Sequence, residues 1–362
     1  MYKIRQLEPY INEKELENLK TTIDEKWITE GKFSKQFIQK LKNITHAKHV
    51  ILVPNGTLAI YLGLVALDLQ PKDEVIIPDF TFNASASPVR FLNAKPVFVD
   101  VTEEDFNINV EKIEQAITVR TKAIMPVHIY GQCCDMDPIM EIAEKHGLKV
   151  IEDAAESFGS FYKGKHSGTI GDLGIFSFYA DKTITCGEGG AIITNDDDLE
   201  LKLRIMRNFG RERKGSFKHP HQGMNFKITD LQCAVGCAQL DKFNEIYNKK
   251  IENYSLYKKL LDDVIDITFI REQPYSSFLP FRVPIRVGNK KKVIKHLEDN
   301  NIETREMFYP LHRQPCWSYL GYKKDDFPVA NKIFSQGICL PVYPSLKHEE
   351  IEYICEKIKE VV

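Results

Sequence analysis

Five short runs between His49 and Ala155 are apolar at almost every position: HVILVP (49–54), EVIIP (74–78), KPVFVDV (95–101), KAIMPVHI (122–129) and KVIEDAA (149–155). A strand that is apolar on both faces must be covered on both faces. The stretches between them supply cover, since GTLAIYLGLVAL (56–67), the segment around Ala84–Leu92 and DPIMEIAEKHG (137–147) read as helical. This alternation predicts βαβ units and an α/β fold, with a mainly parallel mixed sheet flanked by helices.

The rhythm changes after Gly174. GIFSFY (174–179) and GGAIITN (189–195) stand too close for a crossover helix. They are predicted to be antiparallel neighbours or to flank a functional loop. From Asp198 to Tyr257 the chain reads mainly helical. FLPFRVPIRV (278–287), a helical stretch from Lys290 to Asn300 and the terminal EEIEYICEKIKEVV then predict a smaller α+β domain. The expected division is an N-terminal arm (1–30), a large domain (31–245) and a small C-terminal domain (246–362). The arm is expected to pack on the small domain or on a partner subunit.

Charge narrows the function. Across 362 residues, 49 Lys and Arg face 51 Asp and Glu, a net charge of -2. No basic excess favours nucleic acid or membranes. The opening MYKIRQLEPYINEKELENLK lacks the apolar centre of a secretion signal, and no run of about 18 apolar residues occurs. A cytoplasmic protein is expected. The eight scattered cysteines are expected to be free thiols. Cys133-Cys134, Cys233/Cys237 and His219/His221 lack the spacing of a zinc site, so no metal is expected. The basic run GRERKG (210–215) reads as a solvated loop, or as a holder of diphosphate.

Five clusters carry candidate chemistry. GIFSFYADKTITCGEGGAIITND (174–196) sets Lys182 in a glycine-rich loop between two apolar strands. Burial there lowers the cost of a neutral, nucleophilic amine, although a surface lysine fits as well. KVIEDAAESFGS (149–160) places Glu152, Asp153 and Glu156 at the C-terminal end of a buried strand, where α/β proteins bind ligands. A carboxylate there could face a cationic ring nitrogen, or could cap a helix. VPNGTLAIYLGL (53–64) turns from strand to helix at Asn55-Gly56-Thr57, and free N–H groups at such a terminus suit a phosphate. In IIPDFTFNASA (76–86), Phe82 could stack on a flat ring or fill the core. GMNFKITDLQCA (223–234) puts Asn225 just before a helix.

Together these clusters resemble the pyridoxal phosphate (PLP)-dependent sugar-nucleotide aminotransferases of the DegT/DnrJ/StrS family, which have the aspartate aminotransferase fold (fold type I). The resemblance runs from WITEGKFSKQFIQKL (27–41) to ICLPVYPSL (338–346) and includes IETREMFYPLHRQP (302–315). It implies that Lys182 binds PLP covalently and shuttles a proton. It also implies that Asp153 pairs with the ring nitrogen, that Glu156 lies near the ring hydroxyl and that Phe82 covers the ring. Ser177, Gly56 and Thr57 would hold the phosphate, and Asn225 would reach the phosphate of a neighbouring subunit in a homodimer with shared active sites. Substrate contacts are implied at Trp27, Thr29, Arg305, Tyr309 and His312.

The implied reaction moves an amino group from L-glutamate to a ketone on a nucleotide-linked deoxysugar, for a surface glycan such as O-antigen. Related 3-dehydratases carry histidine at the lysine position, so Lys182 favours transamination. KTITCGEGG resembles the perosamine-synthase branch, which aminates C4 of a 4-keto-6-deoxyhexose carried by GDP or dTDP. The alternative is a 3-aminotransferase, whose branch more often shows a YGDGG-like stretch. A nicotinamide-dependent oxidoreductase is disfavoured because no GxGxxG follows the first strand. A catalytically silent regulator should lack the lysine.

Overall fold

The computed structural model describes residues 2–213 and 215–362. Its strands are β1 (His49–Val53), β2 (Glu74–Pro78), β3 (Lys95–Val99), β4 (Thr121–Ile124), β5 (Lys149–Asp153), β6 (Phe161–Tyr162), β7 (Lys165–His166), β8 (Leu173–Ser177) and β9 (Gly190–Thr194). They continue as β10 (Ile267–Phe269), β11 (Ser276–Ser277), β12 (Val283–Val287), β13 (Arg305–Glu306) and β14 (Gly337–Leu340). Seven of them form the main sheet in the order β1-β9-β8-β5-β4-β2-β3. Its β2–β3, β2–β4, β4–β5 and β5–β8 pairs are parallel. β9 runs antiparallel to both β8 and β1. GIFSFY and GGAIITN are therefore antiparallel neighbours, and the intervening loop carries Lys182.

The both-face burial read from the apolar runs has a direct counterpart. In β1, Ile51 and Val53 enter one core while Val50 and Leu52 enter another. β9 divides the same way, with Ile192 on one side and Ala191 and Ile193 on the other. The period of two sends alternate side chains to opposite layers.

The helix Lys32–Thr45 starts at Gly31, which has no side chain to cap it. The cap comes from a distant residue. Asp230, in the first turn of the helix Asp230–Asp241, accepts the N–H groups of Gly31 (2.9 Å), Ser34 (2.7 Å) and Phe33 (3.0 Å). A carboxylate on those orphan donors also opposes the helix dipole.

Two expectations change. The segment 198–257 is not continuously helical: the helix Asp197–Arg207 ends and the next begins at Asp230. Between them Asn208 pairs with Asn225, and Gly210 takes a left-handed φ of 72°. A side chain on Gly210 would strike the His221 carbonyl, with a Cβ only 1.8 Å from it, so the loop folds back tightly on itself. The run GRERKG lies here, and its Lys214 falls outside the described residues. Second, the boundary expected at 245/246 falls inside one helix, Phe243–Leu261. That helix gives Ile246 to one core and Tyr254, Tyr257 and Leu261 to another, which also holds Ile285 and Ile338.

The second sheet is antiparallel in the order β10-β12-β14-β13, and β11-β6-β7 form a small third sheet. The N-terminal arm bridges the parts. Ile4 pairs with Ile302, and the Gln6 N–H donates to Glu303 at 2.8 Å. Farther on, the helix Glu13–Asp24 lies on the helix Asp230–Asp241, where Asn18 donates to the Ala234 carbonyl at 3.0 Å. All eight cysteines are free thiols and only Cys316 is exposed.

Candidate active site

The expected site residues stand at, or just beyond, the C-terminal ends of strands in the main sheet. Asp153 is the last residue of β5 and Ser177 the last of β8. Phe82 follows β2, and Lys182 sits on the loop between β8 and β9.

Asp153 is buried. Its Oδ2 accepts from the Ser85 hydroxyl at 2.7 Å and its Oδ1 from the Ala155 N–H at 3.2 Å. Burial pushes its carboxyl above the usual range, against the pull of those donors and of the Lys182 charge. A carboxylate in this condition gains from a cation placed beside it.

Glu156 is also buried. Tyr130 donates its backbone N–H to Oε2 at 2.9 Å, while Oε1 lies 3.8 Å from Lys182 Nζ. Burial raises the Glu156 carboxyl, and the Lys182 charge opposes the rise. Tyr130 itself is a non-glycine residue at a φ of 52°, and its ring stacks on Phe308 with centroids 5.5 Å apart. A bulky residue held in the left-handed region stores strain, and such residues gather at functional sites.

Lys182 is clasped from the other side by the entrance to β12. Its Nζ lies 4.2 Å from the centre of the Phe281 ring. The adjacent pair repeats the join, since Arg282 bonds Asp181 at 2.5 Å and Arg305 Nη1 stands 3.6 Å from the same carboxylate oxygen. Behind them Lys250 donates to the Phe281 carbonyl at 3.3 Å. Burial, then the nearby Arg282 charge, lowers the Lys250 amine to about 7.

A cradle for an anion opens at the helix Gly56–Ala66. Asn55 caps it by accepting the Leu58 N–H at 2.9 Å. The N–H groups of Gly56 and Thr57 have no acceptor among the described residues. A Cβ on Gly56 would lie 3.0 Å from Ser177 Cβ, and one on Gly190 would lie 2.9 Å from the Gly56 nitrogen. Glycine at both positions lets Ser177 and the helix start approach each other.

Phe82 is 61% exposed, so it is free to cover a ring instead of filling the core. A largely buried lysine amine, a buried carboxylate, an open aromatic face and unpaired N–H groups at a helix start fit the functional groups of PLP in kind.

Other expected site residues are placed differently. Arg305 joins the Lys182 loop through Asp181. Tyr309 packs edge-on against Phe334 with Arg313 over its ring. Trp27 and Thr29 lie in an exposed turn, where the Trp27 indole donates to the Glu30 carbonyl at 2.8 Å. Asn225 is exposed, and its side chain accepts only the Lys227 N–H, at 3.2 Å. It is not a helix cap, because Thr229 fills that position in a capping box with Gln232. His312 sits deeper than the other expected substrate contacts. It is 5% exposed, and its nitrogens engage Asp79 at 2.6 Å and the Lys324 carbonyl at 3.1 Å.

Glu152 takes a structural role on the opposite face of β5. It accepts the N–H groups of Gly168, Ile170 and Gly171 and meets His128 Nε2 at 2.9 Å. Cys134 N–H donates to His128 Nδ1, so the proton sits on Nε2 and points at Glu152. Sequence reading missed Ser85, Tyr130, Phe281, Arg282 and Lys250. Only the Asp-Lys pair at 181–182 offered a signal, since an acid beside a buried lysine needs its own cation.

The comparisons agree with this geometry. The DegT/DnrJ/EryC1/StrS aminotransferase family model matches residues 9–359. The GDP-perosamine synthase of Escherichia coli O157:H7 is 38% identical over 355 residues, covering 98% of this chain and 97% of that relative. The GDP-perosamine synthase of Caulobacter vibrioides is 38% identical over 361 residues, covering 98% and 97%. Spr1654 of Streptococcus pneumoniae, solved in its PMP form, superposes with a TM-score of 0.93 at 27% identity, covering 97% of this chain and 96% of that one. With Lys182, the buried Asp153 and a family match over residues 9–359, the chain belongs to the DegT/DnrJ/EryC1/StrS family of aminotransferases.

Proposed function

We propose that this enzyme transfers an amino group from L-glutamate to the C4 ketone of a nucleotide-linked 4-keto-6-deoxyhexose, with GDP as the favoured nucleotide and PLP as cofactor. The products are 2-oxoglutarate and a 4-amino sugar nucleotide, a precursor for surface glycans. The observation that carries the reading is Lys182, held between Glu156 and Phe281 in a family member whose perosamine-synthase relatives align over nearly its whole length.

When bound, PLP supplies an aldehyde for the amine and an electron-withdrawing ring. The chain supplies the rest. Lys182 Nζ would hold the cofactor and would serve as the group that accepts and returns a proton at that nitrogen. Glu156 Oε1 stays beside that nitrogen, 3.8 Å away. Asp153 keeps an anion at the ring nitrogen, and Ser85 fixes that carboxylate's orientation. Ser177, Gly56 and Thr57 hold the phosphate, while Phe82 covers the ring and excludes water. Trp27, Thr29, Arg305 and Tyr309 are proposed to meet the substrate.

The active unit is proposed to be a cytoplasmic homodimer in which Asn225 serves the neighbouring site. Support comes from exposed apolar side chains near the arm: Ile11, Leu16, Ile23, Trp27 and Ile28 are each more than half exposed. Apolar surface of this kind marks a contact face. Among the described residues no helix is long and apolar enough to cross a membrane.

The test incubates the enzyme with ¹⁵N-glutamate and a panel of nucleotide-linked 4-keto and 3-keto sugars, reading the aminated carbon by NMR. Label at C4 of a GDP-sugar is expected. Label at C3 alone would overturn the regiochemistry, and faster turnover of dTDP-sugars would overturn the nucleotide.

A further inference from the structure

A second cleft, of about 380 Å³, opens at the opposite end of the main sheet. Lys72 precedes β2, Lys95 begins β3 and Arg120 precedes β4, so all three stand at strand N-termini. The reactive cluster lies at the C-termini of the same sheet, and a five-residue strand separates the two by roughly 17 Å.

The cleft is charged on one sign. Lys72, Arg90, Lys95 and Arg120 all line it. The carboxylate bound to this group is Glu74, 1% exposed, which meets Lys95 at 3.3 Å and Arg120 at 3.1 Å. Thr118 donates to its other oxygen, so Glu74 is fully engaged from within. It anchors two cations and leaves a surplus of three positive charges facing the cleft. Lys72 has no ionic partner among the described residues. In a chain of net charge -2, like charges turned into one concavity repel unless an anion joins them.

Two further features shape the wall. Tyr319 is 54% exposed, and the Arg90 guanidinium lies 5.1 Å from its ring centre. The guanidinium lies over one face of the ring, a stack that a flat heterocycle can extend. Lys72 and Asn93 hold left-handed φ values of 75° and 59°, joined by a Lys72 N–H to Asn93 carbonyl bond of 2.9 Å. This turn sets the base of the cleft with both residues away from their preferred backbone.

We propose that the cleft is a second ligand site, separate from the reactive one, that binds a nucleoside diphosphate. Lys72, Lys95 and Arg120 take the phosphates, and Tyr319 with Arg90 takes the base. The volume lies within the range of small-molecule pockets.

Binding of GDP, UDP and inorganic pyrophosphate to the PLP-loaded enzyme, followed by titration calorimetry, tests this. The readout is the binding lost in Lys72→Glu, whatever the reactive cleft also binds, so it stands apart from the test of amination at C4. Reversing one charge should weaken the cleft's affinity by at least about tenfold. Tyr319→Ala should weaken GDP and UDP while sparing pyrophosphate. Lys72→Ala, a milder change, should weaken all three less than Lys72→Glu. Isotherms that are identical in wild type and a folded Lys72→Glu variant would overturn the site. An equal loss of pyrophosphate and nucleotide in Tyr319→Ala would overturn the assignment of the base.

Discussion

Asp79 and His312 lock the end of β2 to the C-terminal part of the chain. Nδ1 of His312 lies 2.6 Å from Asp79 Oδ2, and its backbone N–H donates to Oδ1 at 2.7 Å. The Leu311 N–H adds a third bond, to the Asp79 carbonyl at 2.9 Å. Phe82 is three residues from Asp79, so this lock fixes the strand end that presents the exposed ring.

His312→Ala is expected to destabilise the protein by about 3–5 kcal/mol, because it strands a buried carboxylate. Burial works against protonating His312, but the hydrogen bond and charge of Asp79 outweigh it and raise its pKa. The group is protonated more readily folded than unfolded. Its contribution is therefore complete below the ordinary histidine value of about 6.5 and fades as pH rises through the higher folded value. Denaturant melts of wild type and His312→Ala across pH 5–9 should show a gap that narrows on the alkaline side without closing, because the hydrogen bonds to Asp79 outlast the imidazolium charge, and a gap widening with pH would refute this.

Asp153→Asn removes the anion facing the ring nitrogen. Turnover should fall by at least about a hundredfold, equivalent to about 2.7 kcal/mol of barrier. Ser85→Ala removes one hydrogen bond to the same carboxylate, a loss of about 1 kcal/mol, and should cost less. Steady-state kinetics of both variants check the order. A larger effect from Ser85→Ala would place the main role elsewhere.

Asn225 tests the sharing of sites between subunits. Mixing Lys182→Ala chains with Asn225→Ala chains should restore some activity if Asn225 serves the partner. One site of a mixed dimer then carries both lesions and the other carries neither. If Asn225 served its own chain, every site would be damaged and mixing would restore nothing.

Lys250 carries a cost that pH can reveal. Its amine falls to about 7 in the fold, so between that value and its unfolded value near 10.4 the folded state binds fewer protons. Stability from this group accordingly rises with pH through that window and is lowest below pH 7. Lys250→Met should raise the melting temperature most at pH 7 and progressively less towards pH 10. A constant difference would show that the lysine is charged throughout.

The runs that are apolar at every position made the main sheet legible, because two-sided burial leaves no place for a polar residue. Lys182 and Asp153 were legible for a related reason: each is a charged residue at the end of such a run. The contact between His312 and Asp79 was not legible, since the YPLHRQP motif does not show that Asp79 waits for its ring. Phe281 and Lys250 were invisible, because their roles come from contacts with a loop about 70 to 100 residues away in sequence. The mainly helical reading of 198–257 holds in Asp197–Arg207, Asp230–Asp241 and Phe243–Leu261, while the break around Gly210 was not legible because it depends on close approach to the His221 backbone.

Within the main sheet, the first strand to emerge must wait for the last. β1 bonds only to β9, with His49 opposite Thr194 and Val53 opposite Gly190. During synthesis its pairing groups stay unsatisfied until just over half of the 362 residues have been made. The ends of the central sheet therefore close through contacts of long sequence separation, which slows folding. A fragment stopping before Gly190 would leave an apolar, unpaired β1 exposed and should aggregate before it folds.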